Sequence, residues 1–187
     1  MDQKVIGISL DPIKVIQTYF EGLYSGELGL SSIKGGQTAA NLALANLDIT
    51  RYAEQRSEVQ PIDKRGATVL SPYIRHNLLT LSQVYSAVKN APYKDREKFR
   101  DELYWQEYAR HLYARLGTRL FENLRYEANR DTQGNGWNRD MHCIDQTLTE
   151  LETDGWLVNQ TRMWMASHWT VRSNKVGCTD KKRCIEI

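Results

Sequence analysis

Glu102, Trp105, Gln106 and Ala109 recur at spacings of three and four, so on a helix they share one stripe. Asn159 and Arg162, three residues apart, share one face of a second helix. A carboxylate, an indole, amides and a guanidinium facing one cavity can read a planar base by stacking and hydrogen bonds. The same spacing also suits a core tryptophan with solvated neighbours. A second cluster is Thr68-Val69-Leu70-Ser71, directly before Pro72. Hydroxyls and backbone N–H groups gathered there are suited to holding a phosphate, although serine before proline is also a common helix start.

Other chemistry is sparse. There is no phosphate-binding GKT/S, no GxSxG, no HExxH and no GxGxxG. His76, His111, His142 and His168 share no metal spacing. Cys143, Cys178 and Cys184 are odd in number and form no CxxC pair, so neither a zinc site nor a disulfide framework is expected.

Helical periodicity supplies the elements that must carry these residues. Ile16, Tyr19, Phe20 and Leu23 predict a short helix ending near Gly26. Ala39, Ala40, Ala43 and Leu47 predict another, running towards Arg56, and Ser57 to Gly66 reads as a loop around Pro61. Leu81, Val84, Tyr85 and Val88 form the next stripe, opened by a Thr80–Gln83 capping box and closed by Pro92. The longest segment runs from about Arg96 to Leu116, with Leu103, Tyr108, Leu112 and Leu116 expected on a buried face. Tyr126 to Asp140 reads as a loop. Met141, Ile144, Leu148 and Leu151 build a helix closed by Gly155, and a last helix is expected from Trp156 to Val171. No segment alternates at period two, so the fold class is all-α.

Composition sets the outer limits. The 187 residues allow one sizeable domain, and 41% hydrophobic content argues against disorder. A mean hydropathy of −0.59, with no long apolar run, predicts no membrane span. Without a secretory signal, the expected location is cytoplasmic. A net charge of +2 gives no general nucleic-acid signature, so any DNA would be held by a local patch.

Several stretches in order carry a resemblance. GGQTAANLAL, RYAEQR, ATVLSPYIRHNLLTLSQVYSAV, ELYWQEYARHL and DGWLVNQTRMWMAS resemble the FAD-binding helical domain of the photolyase/cryptochrome family, over about residues 35 to 172. The resemblance implies a helical cluster holding FAD in a bent form, and light-driven repair of pyrimidine dimers in DNA, a carbon–carbon lyase chemistry. It implies the following roles. Tyr52 contacts the phosphate side of the flavin, and Thr68, Val69, Leu70 and Ser71 cradle the phosphates. Phe99 lies beside the cofactor, with Gln106 near it. Glu102 and Trp105 meet the dimer, by hydrogen bonding and by stacking. Asn159 lies near both flavin and substrate, and Arg162 near the flavin ring.

The sequence departs from the family pattern at Ala67, where a hydroxyl is usual, and at Gln106 and Gln160, where arginines are usual. Residues 1–34 are read as an extension with a short helix, too short for the family's α/β antenna domain, and 173–187 as an irregular tail. The resemblance stops near Arg172, before the family's flavin-closing segment. On that reading Arg162 lacks its carboxylate partner and one wall of the cavity is open to a protein partner or a second chain. The alternative expectation is a non-catalytic, cryptochrome-like or remnant module that binds flavin or a partner.

Overall fold

The computed structural model describes residues 11–122 and 137–169. Eight α-helices and two short 3₁₀ turns follow one another, and no strand occurs among the described residues. The protein is all-α. No helix among these residues is long and apolar enough to cross a membrane. The tail 173–187, and the loop from Tyr126 to Gly136, lie outside the described residues.

Helix α1 (Pro12–Tyr19) opens with Pro12 in its first turn, and the Asp11 carboxylate accepts from Ile13 N–H at 3.1 Å. It ends before Leu23, earlier than the periodicity suggested, and none of its residues is buried. Helix α2 (Gln37–Ala45) also stops early, at Asn46 rather than near Arg56. The chain turns there: the Asp48 carboxylate accepts from Thr50 N–H at 2.8 Å, and Arg51 takes a left-handed conformation with φ +63°. Helix α3 (Tyr52–Gln55) then starts afresh. The Asp95 carboxylate accepts from the N–H groups of Arg51 (3.1 Å) and Ala53 (2.8 Å), so a side chain distant in sequence caps this short helix. Periodicity alone does not register such a break.

A 3₁₀ turn (Ile62–Lys64) lies within the expected loop, and α4 (Ser71–Arg75) follows the hydroxyl cluster. Helix α5 (Leu81–Ala87) has the capping box read from the sequence: Thr80 Oγ1 accepts from Gln83 N–H at 3.2 Å, and Gln83 Oε1 from Thr80 N–H at 2.8 Å. Helix α6 spans Tyr93–Leu116. Its buried residues are only Phe99 and Leu103; Tyr108 is 57% exposed and Leu112 36%, which corrects the expectation of a buried face along its whole length. Beyond Leu103 no residue of this helix is buried. Helix α7 (His142–Asp154) ends at Gly155, whose φ of +66° is the left-handed stop favoured by glycine. Helix α8 spans Asn159–Ser167.

Two apolar centres organise these helices. One joins Leu70, Ile74, Leu79, Val84, Phe99 and Leu103 of the α2–α6 region. The other joins Ile144, Leu148, Leu157 and Met165 of α7 and α8. Directed polar bonds tie the two together. Arg65 pairs with Glu150, Trp156 donates to Ser71, Gln160 donates to Ser57, and Ser31 and Ser32 bond Asp154. Thus Ser31–Lys34, placed in the N-terminal extension by sequence, are fastened to the domain, with Tyr73 also donating to the Lys34 carbonyl at 2.8 Å.

Candidate functional site

Between α3, the 67–71 turn, the middle of α6 and the start of α8 lies an open cavity of about 480 Å³. This volume falls in the range of roughly 300–1,000 Å³ usual for small-molecule sites. The sequence-predicted residues Tyr52, Thr68, Val69, Leu70, Ser71 and Phe99 line it, as do Glu102, Trp105, Gln106, Asn159 and Arg162. Residues from four separate stretches of chain therefore meet at one place.

Each wall has a local cause. Helix α6 presents Glu102, Trp105, Gln106 and Ala109 as its i, i+3, i+4, i+7 stripe, while Phe99 and Leu103 anchor the same helix in the core. Tyr52 packs edge-on against Phe99, with ring centroids 5.0 Å apart and planes at 79°. Burial pushes the Tyr52 hydroxyl up to about 12, with Glu102 adding to the rise and Arg56 opposing it. Gly66 makes the wall close: a Cβ there would stand 2.9 Å from Gln55 C and 3.0 Å from Arg56 N. Its N–H donates to the Gln55 carbonyl at 3.0 Å, holding the end of α3 against the turn. Within the turn, Val69 has φ +53°, a strained conformation for a β-branched residue. Leu70 beside it is buried, which holds the turn in place.

The charges are unevenly shared. Arg56 Nη1 lies 3.2 Å and Lys98 Nζ 3.8 Å from the same oxygen, Oε1 of Glu102. The two cations hold the Glu102 carboxylate at the cavity edge. Arg162 has no carboxylate partner among the described residues, and desolvation alone lowers its pKa from the ordinary arginine value. A partly desolvated guanidinium without a counter-charge favours an anionic ligand. Asn159, in the first turn of α8, has its amide 3.6 Å from the Met163 sulfur, a weak contact that leaves it available. Trp105 is 63% exposed and meets Tyr108 edge-on, with centroids 5.9 Å apart.

Gln160 does not line this cavity. Its amide donates to Ser57 Oγ at 3.1 Å, joining α8 to the loop after α3. The missing positive charge at this position therefore does not bear on the cavity as the family pattern suggested. Gln106 does face the cavity, where it offers an uncharged amide.

Two residues escaped the sequence reading. Arg56 sits four residues after Tyr52 and hence on the same helical face, a spacing that points to it. Trp156 lies between the Gly155 stop and buried Leu157 and Val158, and its indole N–H donates to Ser71 Oγ at 3.0 Å. No periodic signal marks such a contact.

A larger cavity, about 700 Å³, lies behind the same wall against α7 and shares Ala67, Val69 and Trp156. Its carboxylates are already engaged: Asp145 with Arg139, Glu150 with Arg65, and Asp154 with the Ser32 N–H. The guanidinium with no carboxylate partner among the described residues, Arg162, belongs to the smaller cavity. Comparison of the chain with protein-family models, with curated proteins and with solved structures gives no match.

Proposed function

We propose that this chain is a photolyase-like FAD-binding protein whose chemistry is light-driven repair of pyrimidine dimers in DNA. The observation that carries this reading is the convergence of the motif residues, scattered from Tyr52 to Arg162, on one cavity. The donor set suits the cofactor. Arg162 offers a guanidinium with no carboxylate partner among the described residues, Thr68 and Ser71 offer hydroxyls to a diphosphate, and Tyr52 and Phe99 offer an aromatic wall to a planar ring system.

Reduced FAD, when bound, supplies a photoexcitable electron donor. The chain's own part is binding and orientation. Arg56 and Lys98 fix Glu102, whose carboxylate can accept from the N–H edge of an extrahelical pyrimidine. The exposed Trp105 ring offers a stacking face for a lesion flipped out of the duplex, an expense that damage lowers. Asn159 and Gln106 offer amides to either ligand.

A second reading, a non-catalytic module binding flavin or a protein partner, is favoured by the exposed α6 residues beyond Leu103, among them Tyr108 and Tyr113. Illumination of the FAD-loaded protein with dimer-containing DNA separates the two. Restored pyrimidines support repair; FAD retention without repair selects the non-catalytic module. In the repair reading, Trp105→Ala weakens lesion binding more than FAD retention, whereas equal loss of both assigns Trp105 to packing.

A further inference from the structure

We propose that Trp156 is a positioning residue that aims the Ser71 hydroxyl proton into the cavity, making Ser71 a donor to the phosphate of a nucleotide ligand. The inference deepens the function proposed above and rests on the same reading of the cavity.

The hydroxyl has one proton and two lone pairs. The Trp156 indole, which can only donate, takes a lone pair of Ser71 Oγ at 3.0 Å. No protein acceptor for the Ser71 proton is present among the described residues, and both side chains border the cavity. Taking up a lone pair from the protein side restricts the rotor and leaves the proton for whatever occupies the cavity. A free serine hydroxyl can donate or accept; this one is biased to donate, which suits an anionic oxygen. The indole itself is held firmly. Gly155 turns the chain at the end of α7, its N–H donating to the Leu151 carbonyl at 2.8 Å, and the next two residues, Leu157 and Val158, are buried. Ser71 is equally fixed, between buried Leu70 and Tyr73. Arg162, with no carboxylate partner among the described residues, lines the same space and complements a phosphate.

ADP and adenosine differ by the diphosphate alone and so isolate this contact. Binding of each to the purified full chain is measured by calorimetry for the wild type, Trp156→Phe, Ser71→Ala and the double variant. The expected result is that Trp156→Phe weakens ADP about two- to tenfold, the size of one hydrogen bond, and leaves adenosine unchanged. Once Ser71 is alanine, Trp156→Phe should have no further effect on ADP. Equal loss of ADP and adenosine overturns the proposal and makes Trp156 a packing wall. So does an effect of Trp156→Phe that persists without Ser71, or a wild type that binds no ADP. Failure to bind FAD while the ADP result holds would sink the flavin reading and leave this one standing.

Discussion

Replacing Glu150 by glutamine tests whether the α7–α8 unit is locked to the rest of the domain by a desolvated ion pair. The Arg65 side chain is 8% exposed and that of Glu150 18%, and two guanidinium nitrogens meet the two carboxylate oxygens. The third, Nε, donates to the Val59 carbonyl at 2.7 Å, so Arg65 joins the loop before the cavity turn to α7. Glutamine keeps the shape, but it opposes a guanidinium N–H with an NH₂ group and leaves the arginine charge buried. Removing one partner of a buried pair costs about 3–5 kcal/mol, and the partial exposure of Glu150 places this case near the low end, about 3 kcal/mol. For a chain of this length that lowers Tm by about 6–12 °C, read by far-UV circular dichroism. The double variant Arg65→Met/Glu150→Leu, with no charge left to compensate, should recover most of the loss. A fall of less than about 1 kcal/mol for Glu150→Gln, or a double variant as unstable as the single, would refute the reasoning.

Three further predictions concern the cavity wall. Tyr52 favours its protonated form in the folded state, so its contribution is complete below pH 10 and is lost as pH rises through about 12. Stability should fall over that alkaline window in the wild type and less in Tyr52→Phe. Glu102→Gln removes one cause of the rise and should bring the Tyr52 titration, followed by phenolate absorbance, down towards its ordinary value. Gly66→Ala sets a Cβ against the backbone at Gln55 and Arg56, with no flexible side-chain end to yield. It should cost about 1–3 kcal/mol in urea unfolding and weaken ligand binding by moving α3 from the turn; an unchanged midpoint would show that the contact relaxes freely.

What could be read from the sequence divides along physical lines. Local signals succeeded: the Thr80–Gln83 capping box and the Gly155 stop depend on residues a few positions apart. Spacing also placed Glu102, Trp105 and Gln106 on one stripe of α6. Features set by distant residues escaped it. The break between α2 and α3 depends on Asp95, and the fastening of α7 and α8 depends on Arg65, Ser57 and Ser71. Burial misled where periodicity was taken for packing. Tyr108 and Leu112 keep the right spacing, but both are exposed. The motif residues came from ordered resemblance, and their meeting in one cavity is a tertiary fact that no single stretch contains.

Whether this cavity holds FAD is decided by titrating the purified chain with FAD, followed by flavin fluorescence. Saturable binding of one FAD per chain is expected. Arg162→Ala should weaken it at least roughly tenfold, about 1.4 kcal/mol, with an unchanged far-UV circular dichroism spectrum. No saturable FAD binding by the folded wild-type chain, or binding indifferent to Arg162, would contradict a flavin site in this cavity.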